Sequence, residues 1–315
     1  MDTGNPVLVI AGPTASGKSA LAMDAAREFD GTVINADSMQ VYRELSILTA
    51  RPSAVDEARV PHRLFGVLGA ADPCSAGRWL RMASAEIDGA RSAGRLPIVV
   101  GGSGLYLKAL TDGLAPVPEI PKRVKDEALS LHSRLGGAAF RDKLAELDGE
   151  AAARLPAEDT QRLIRAYSVA RATGRPLSEW QGEAAAPSVD ARFATIVLAP
   201  PRDALRDAIE ARIHSMIEGG VLDEVASLLK QGLDPGLPAM KALGVADLGR
   251  HLEGEIGLDE AVEAWTRATQ RFAKRQLTWL RNQMTGPCEV FAQYSESHRA
   301  EIFSFIRQFL LTGQT

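Results

Sequence analysis

The segment from Gly12 to Ser19 is the feature that most constrains how this 315-residue chain can fold. It reads GPTASGKS, which fits the pattern G-x-x-x-x-G-K-[ST], and it directly follows the apolar run Val7–Ala11. In such a loop, backbone N–H groups and a helix N-terminus form an anion cradle, to which Lys18 adds a positive charge. The hydroxyl of Ser19 is placed to bind a Mg²⁺ ion that bridges phosphates. The sequence therefore predicts a site for a di- or triphosphate, built from Gly12, Pro13, Thr14, Ala15, Ser16, Gly17, Lys18 and Ser19.

Three more short, β-branched apolar runs follow the same pattern as the first. They are Thr32–Ala36, Leu96–Val100 and Thr195–Ala199, and helical patterning separates the first three runs of the chain. Continuous apolar runs of this kind are typical of a parallel sheet that is covered on both faces. We therefore predict an α/β fold with a P-loop NTPase-like parallel sheet, in which ligands bind beyond the carboxyl ends of the strands.

The pattern changes between the third and fourth runs. From about Pro116 to Pro187 the sequence is helical in character and contains no candidate strand. We therefore predict a helical insertion domain at residues 118–187, between a first part of the core at 1–117 and its completion at 188–315. Beyond Pro201 the chain is again helical, and the strongest segments are Asp203–Ile217, Gly220–Gln231 and Glu260–Met284.

Composition excludes several classes of protein. Hydrophobic residues make up 45% and charged residues 24%, which is a globular balance rather than that of a disordered chain. The net charge of −4 excludes a generally basic nucleic-acid coat but permits a local basic surface. No apolar run reaches the roughly 18–20 residues of a membrane span. We therefore expect a soluble, cytoplasmic protein without a membrane partner. Cys74 and Cys288 are expected to be free thiols, with one long-range disulfide as the alternative.

The residues that follow the second and third strands are candidates for chemistry. Asp37 is placed to bind Mg²⁺ through water or to act as a base, although Asp is also a preferred helix N-cap. After the third strand, glycines of Gly101–Gly104 stand where motor ATPases and many GTPases have an Asp that organises Mg²⁺ and water. The glycines admit either a bulky ligand or another backbone, and Ser103 adds one hydroxyl; a plain tight turn is the alternative. This pattern favours group transfer over ATP hydrolysis.

Two basic stretches stand out against the acidic total. The stretch Gln161–Arg175 contains four arginines and no acid, and the window Ala264–Cys288 also contains no acid. At helical spacing, most of the basic residues in the second window share one side. Such faces can follow the phosphates of RNA, although a single basic helix face is often simply solvated. The basic residues of the second window are Arg267, Arg271, Lys274, Arg275 and Arg281.

Five separated blocks of the sequence resemble one known family, the bacterial tRNA dimethylallyltransferases, also called tRNA isopentenyltransferases. The resemblance covers nearly the whole chain, and the order of the blocks is more specific than the phosphate loop alone. The blocks are Gly12–Ser19, Asp37–Tyr42, Gly101–Tyr106, Asp159–Arg165 and Ala273–Trp279.

The resemblance implies transfer of a dimethylallyl group from dimethylallyl diphosphate to N6 of adenosine 37 in the anticodon stem-loop of tRNA. It implies a P-loop core with a helical insertion. We further expect Mg²⁺ as cofactor, from the phosphate loop, and a monomer. By motif, Asp37 resembles the general base for the adenine amino group, and Arg212 resembles an arginine that faces the diphosphate. Ser103 stands where most members have Thr, so the catalytic hydroxyl is retained.

The resemblance also implies which residues contact tRNA. Those that match are Asp37, Ser38, Met39, Gln40, Ser103, Lys125, Gln161, Arg162, Leu163, Ile164, Arg165, Arg271, Lys274 and Arg275. The chain departs from the family pattern at Leu48–Pro52, at Gly244–Val245 and at Thr269–Arg271, and it has Lys125 where an Arg is commoner. These departures affect individual tRNA contacts more than the reaction.

Two other kinds of function fit part of the sequence. A P-loop small-molecule kinase also pairs a phosphate loop with an Asp at a strand end, but it would not explain the insertion or the basic helix. A non-enzymatic RNA-binding protein with a vestigial P-loop would not explain the intact Lys18–Ser19 pair and Asp37. A prenyltransferase that acts on free AMP is a nearer variant, which the insertion and the basic stretches disfavour.

Overall fold

The computed structural model describes residues 4–183, 189–284 and 288–312. Its six strands form one sheet, in the order β3-β2-β4-β1-β5-β6, and every pair of neighbours is parallel. The strands are β1 (Pro6–Ala11), β2 (Gly31–Asn35), β3 (His62–Arg63), β4 (Leu96–Gly101), β5 (Arg192–Leu198) and β6 (Cys288–Val290). The predicted α/β fold with a parallel sheet is confirmed.

Strand β1 lies near the middle of the sheet and determines where the phosphate loop begins. Val9 pairs with Val99 of β4 on one side and with Thr195 of β5 on the other. Residues 7–11 of β1 are fully buried, as expected for a strand with helices on both faces. Because all strands run parallel, the loops that follow β1, β2 and β4 leave the same edge of the sheet.

The two edge strands were not predicted from the sequence. Strand β3 has two residues and β6 has three, and His62, Arg63 and Glu289 break any apolar pattern in them. Edge strands of this length are half-solvated, so they lack the hydrophobic signal that marks the four central strands.

Thirteen helices surround the sheet or form a separate bundle in the described part of the chain. In chain order they are α1 (Lys18–Glu28), α2 (Ala54–Arg59), α3 (Ala76–Ser92), α4 (Gly104–Thr111), α5 (Lys122–Ala145), α6 (Gly149–Arg154), α7 (Thr160–Thr173), α8 (Leu177–Gly182), α9 (Arg202–Glu218), α10 (Val221–Leu229), α11 (Val245–Leu252), α12 (Leu258–Gln283) and α13 (Arg299–Leu311). Helix α5 is interrupted at Gly136, whose φ of 76° is outside the helical region. The three helices predicted beyond Pro201 correspond to α9, α10 and α12.

Contacts divide the chain into two compact units. The larger unit falls within residues 1–111 and 188–315, and the smaller unit falls within residues 112–187. In the larger unit, Leu8, Ile10 and Ile98 of the sheet pack with Leu21 of α1 and Ile306 of α13. Each such fully buried aliphatic side chain contributes about 1.5–3 kcal/mol to folding.

The smaller unit has its own apolar core. Phe140 and Leu144 of α5 pack against Ala151 of α6 and against Leu163 and Ala166 of α7. Helix α7 begins at a good N-cap, because the Asp159 carboxylate accepts a hydrogen bond from the Arg162 N–H at 3.3 Å. The helices α5 to α8 make up the regular structure of its described residues.

Two further expectations concern the whole chain. Among the described residues, no helix combines the length and the apolar character needed to cross a bilayer. Cys74 and Cys288 are both free and half-buried, which confirms the expectation of free thiols.

Candidate functional site

The phosphate loop connects the buried end of β1 to the first turn of α1. Ala15 and Gly17 adopt left-handed conformations, with φ values of 63° and 87°. A Cβ at Gly17 would lie 3.0 Å from Cβ of Tyr294, so glycine is also required there by close packing. The Lys18 ammonium donates a hydrogen bond to the Pro13 carbonyl at 3.1 Å, which keeps its charge beside the loop.

Gln276 of α12 fixes the phosphate loop to the turn after β4. Its side-chain oxygen accepts the Thr14 N–H at 2.9 Å, and its amide nitrogen donates to the Gly102 carbonyl at 2.9 Å. From the other side, the Tyr294 N–H donates to the Ser16 carbonyl at 3.2 Å. Sequence analysis did not single out Gln276, although it lies in the block Ala273–Trp279.

One hydroxyl of the loop has no partner. The side chain of Ser16 is fully buried, and its Oγ makes no hydrogen bond within the described part of the chain. A buried donor without a partner is costly, and most such groups in native proteins are satisfied by protein, water or ligand. The Ser16 hydroxyl is therefore a donor that a bound phosphate could satisfy.

Asp37 follows β2 in a tight side-chain turn. Its Oδ1 accepts the Met39 N–H at 2.8 Å, while its own N–H donates to Oδ1 of Asn35 at 2.7 Å. The next described helix, α2, begins only at Ala54, so the alternative interpretation of Asp37 as a helix N-cap is wrong. The turn instead holds the carboxylate at the carboxyl edge of the sheet.

Ser103 connects the turn after β4 to the turn after β2. Its Oγ accepts the Ser38 N–H at 2.8 Å and donates to the Ser38 hydroxyl at 3.2 Å. The glycines around it are explained by protein contacts. A Cβ at Gly101 would lie 2.1 Å from the Ala36 carbonyl oxygen, and a Cβ at Gly104 would lie 2.4 Å from the Trp279 ring. Of the possibilities left open by the sequence, close approach of the protein itself accounts for these two positions.

A cavity of about 310 Å³ in the larger unit contains several of the predicted site residues. Its polar lining consists of Thr14, Asp37, Ser38, Thr49, Arg212, Lys241, Thr269 and Arg275. Its apolar lining consists of Met39, Leu48, Ile209, Ile213, Met216, Ala242, Leu243, Trp265 and Phe272. A cavity with a wide apolar wall and a few charged groups suits a ligand that has both an apolar part and an anionic part.

The charged groups of the site influence one another. Burial lowers the pKa of Lys18 to about 8, against the opposing effect of the Asp37 carboxylate; Arg212 lowers it further. Burial also lowers the pKa of Arg212, and Asp37 again acts in the opposite direction. The Arg212 guanidinium is held by the Thr49 carbonyl at 2.9 Å. Two desolvated cations that share one carboxylate make this edge of the sheet a favourable place for an added anion.

Several arginines of the two basic stretches form ion pairs with nearby acids, which the sequence windows did not indicate. Arg162 pairs with Asp159 at 3.3 Å, and Arg175 pairs with Glu179 at 3.1 Å and with Glu183 at 2.6 Å. In the second stretch, Arg267 pairs with Glu263. The acids lie just outside the acid-free windows, one helical turn or two away, so the windows alone did not reveal them. Within the two stretches, the described basic residues without an ion pair are Arg165, Arg171, Arg271, Lys274, Arg275 and Arg281. Lys125 of α5 has none among the described residues either.

The structure places the residues predicted to contact tRNA in different environments. Lys125, Gln161 and Arg165 are exposed on α5 and α7. Leu163 is fully buried in the core of the smaller unit and Ile164 packs against that core, so the Leu163 side chain is structural and offers no surface to an RNA. Those of α12, namely Arg271, Lys274 and Arg275, are exposed. The Gln40 amide donates to the Thr49 carbonyl at 2.8 Å and to the Ala50 carbonyl at 3.3 Å.

The smaller unit also contains an open cleft of about 660 Å³ between α5 and α7. Arg134, Tyr167 and Arg171 lie along it, together with Lys122 and Arg123, which pair with acids one turn further on. Asp126 and Glu127 line the same cleft, so its basic character rests on Arg134 and Arg171, beside the Tyr167 ring.

Comparisons with known proteins identify one family. The model of the family described as IPP transferase matches residues 40–283, and that described as isopentenyl transferase matches residues 5–65. The tRNA dimethylallyltransferase of Rhodospirillum rubrum is 54% identical over 314 residues, covering 98% of this chain and 96% of the relative. That of Paramagnetospirillum magneticum is 51% identical over 311 residues, covering 99% of both chains.

Solved structures agree with the sequence comparisons. The full-length tRNA isopentenylpyrophosphate transferase from Bacillus halodurans is 30% identical, with a TM-score of 0.71 and coverage of 98% of both chains. A eukaryotic dimethylallyltransferase acting on tRNA shares the fold, with a TM-score of 0.82 at 24% identity, over 96% of this chain and 80% of that one. The chain therefore belongs to the IPP transferase family, as its resemblance to the tRNA dimethylallyltransferases predicted.

Proposed function

We propose that this chain transfers the dimethylallyl group of dimethylallyl diphosphate to N6 of adenosine 37 in the anticodon stem-loop of tRNA. The observation that carries the proposal is that Asp37 and Arg212 line one largely apolar cavity, beside a complete phosphate loop. The apolar wall suits a five-carbon group, the cations suit its diphosphate, and the carboxylate suits an amino group that loses a proton. The proposal includes a monomer that acts in the cytoplasm.

In the proposed reaction, the bond between the allylic carbon and the diphosphate oxygen breaks while N6 of adenine forms a bond to that carbon. The leaving diphosphate carries the electron pair away, and Lys18, Arg212 and the loop N–H groups stabilise its charge. Bond formation makes the N6 proton acidic, and the Asp37 carboxylate accepts it. Ser103 holds the turn that carries Ser38, next to Asp37.

Mg²⁺ fits the residues present. Among the described residues no cluster of three or more His, Cys, Asp and Glu could hold a metal ion, whereas Ser19 is exposed in the first turn of α1. Mg²⁺ characteristically takes one or two protein oxygens and completes its shell with phosphate oxygens and water. Ser19 would therefore hold it, and the ion would neutralise charge on the diphosphate.

The proposal is tested by incubating purified protein with unmodified tRNA, dimethylallyl diphosphate and Mg²⁺ and digesting the product for mass spectrometry. We expect a dimethylallyl mass increment on the adenosine next to the anticodon. Free AMP serves as the control acceptor and is expected to remain unmodified. Prenylated AMP with unmodified tRNA would identify the nucleotide variant, and phosphorylation of a small metabolite with ATP would identify a kinase.

The lowered pKa of Lys18 predicts how donor binding depends on pH. Below about pH 8 the ammonium of the free protein is charged, and above it the charge is lost. A bound diphosphate raises the pKa of Lys18, so the complex holds a proton that the free protein has lost. The dissociation constant of dimethylallyl diphosphate should therefore rise above pH 8, approaching about tenfold per pH unit.

Isothermal titration calorimetry between pH 6.5 and 9.5 measures this dependence. The control variant is Lys18→Arg, because a guanidinium stays charged throughout this range. An equally steep rise in the dissociation constant for wild type and Lys18→Arg would assign the pH dependence to the ligand or to another group.

Arg165→Ala is expected to raise the KM for tRNA several-fold, and to leave the KM for dimethylallyl diphosphate unchanged. Arg165 is exposed on α7 and has no ion pair among the described residues, so its charge is available to an RNA phosphate. Loss of one phosphate contact should reduce the slope of log affinity against log salt by about 1. Arg175→Ala is the matched control, since Glu179 and Glu183 already neutralise that arginine. Equal effects of the two variants would argue against a specific role for Arg165.

A further inference from the structure

Glu224 of α10 holds a loop of the core that is far from it in sequence. One carboxylate oxygen accepts the N–H groups of Ser46 and Ile47, each at 2.8 Å. The other oxygen accepts the N–H of Leu48, also at 2.8 Å. Residues 46–48 belong to neither a helix nor a strand, so the carboxylate supplies acceptors that regular structure would otherwise provide.

The loop that Glu224 holds leads directly into the cavity. Leu48 and Thr49 line the cavity, and both are buried. The carbonyl of Thr49 accepts two hydrogen bonds, one from Nη2 of Arg212 at 2.9 Å and one from Nε2 of Gln40 at 2.8 Å. Because the Arg212 guanidinium donates to this carbonyl oxygen, the position of the oxygen helps to set the orientation of the guanidinium.

We propose that Glu224 is a positioning residue, which fixes residues 46–49 and, through the Thr49 carbonyl, aims Arg212 at the diphosphate. The inference rests on the proposed function, in which Arg212 stabilises the leaving group. A carboxylate suits the task because it is purely an acceptor, and three convergent N–H donors make charge-assisted hydrogen bonds to it. Glutamine at this position would direct an amide N–H₂ at one or more of these donors.

The test measures binding of inorganic diphosphate in the presence of Mg²⁺ by calorimetry, so that it does not require turnover. We expect Glu224→Gln to weaken diphosphate binding about tenfold, because a charge-assisted network is replaced by a mismatched neutral one. Asp223→Asn is the matched control: it removes the same charge from the preceding, exposed position of α10 and should leave binding unchanged. Glu224→Asp keeps the charge on a shorter side chain and should recover part of the affinity.

A double-mutant cycle separates positioning from general support of the fold. If Glu224 acts through Arg212, then in an Arg212→Ala background the Glu224→Gln change should alter diphosphate affinity less than about twofold. Independent, multiplicative effects of the two changes would overturn the inference, as would a Glu224→Gln variant that binds diphosphate like wild type. If Glu224→Gln does not fold, Glu224→Asp takes its place in the cycle.

Failure of the proposed function and failure of the positioning role give different results. Absence of prenyl transfer to tRNA, with diphosphate binding that still depends on both Glu224 and Arg212, would reject the function and retain the positioning role. Transfer to tRNA, with no coupling between Glu224 and Arg212 in diphosphate binding, would support the proposed function and reject the positioning role.

Discussion

Asp37→Asn is expected to lower kcat for prenyl transfer by about 10³-fold, within the range that general-base groups contribute. The amide keeps an oxygen that can accept the Met39 N–H, so the turn after β2 should survive the change. What is lost is the ability to take up the N6 proton as the nitrogen bonds to the allylic carbon. Single-turnover transfer to tRNA, followed by mass spectrometry, measures the effect on the chemical step.

Binding should separate the chemical role of Asp37 from a structural one. The dissociation constant for tRNA should remain within a few-fold of wild type. Affinity for dimethylallyl diphosphate should not fall. The variant lacks a negative charge beside Lys18 and Arg212, so the site repels the anionic diphosphate less. Transfer at the wild-type rate by Asp37→Asn would remove Asp37 as the base.

The central sheet was predictable because its strands carry an unambiguous signal. Strands β1, β2, β4 and β5 are buried on both faces, so their apolar residues are consecutive. The phosphate loop then follows from a local pattern of eight residues, Gly12–Ser19, which needs no knowledge of the rest of the fold. Edge strands β3 and β6 have neither advantage.

The supports of the site could not be predicted in this way, because they are made by residues distant in sequence. Gln276 is 262 residues from Thr14, and Glu224 is 178 residues from Ser46. A lone Gln or Glu on a helix carries no sequence signal that tells a buried hydrogen-bond partner from a solvated side chain. Only the packing of α12 with α4, α9 and α11, and of α10 with α9 and α11, brings them to the loops that they hold.

The glycines after β4 illustrate the same limit. Their sequence, Gly101–Gly104, allowed a ligand, a backbone or a plain turn, and the difference lies entirely in what approaches from elsewhere. Ala36 meets Gly101, Gln276 meets Gly102, and Trp279 meets Gly104. Gln276 and Trp279 both come from the block Ala273–Trp279, so the third and fifth blocks that carry the family resemblance are in direct contact.

Lys18→Ala is expected to weaken binding of dimethylallyl diphosphate about 100-fold, or about 2.7 kcal/mol. The ammonium lies over the phosphate loop against the Pro13 carbonyl, and at pH 7 it is charged because its pKa is lowered only to about 8. Loss of this charge leaves Arg212 and the loop N–H groups to bind the diphosphate. Calorimetry at pH 7 measures the change, and tRNA binding serves as the control that should not respond.

The same substitution should not lower the stability of the free protein, and this distinguishes loss of a ligand from damage to the fold. Lysine has a pKa of 10.5 when unperturbed and about 8 here, so at pH 7 the folded chain binds this proton less tightly than the unfolded chain. Below pH 8, the charged Lys18 therefore lowers the free energy of unfolding. Between pH 8 and 10.5 only the unfolded chain keeps this proton, so the free energy of unfolding rises with pH and the penalty disappears. We expect the Tm of ligand-free Lys18→Ala at pH 7 to equal or exceed that of wild type. A clear fall in Tm together with weaker binding would instead mean that Lys18 supports the loop, and that its charge is not what recognises the diphosphate.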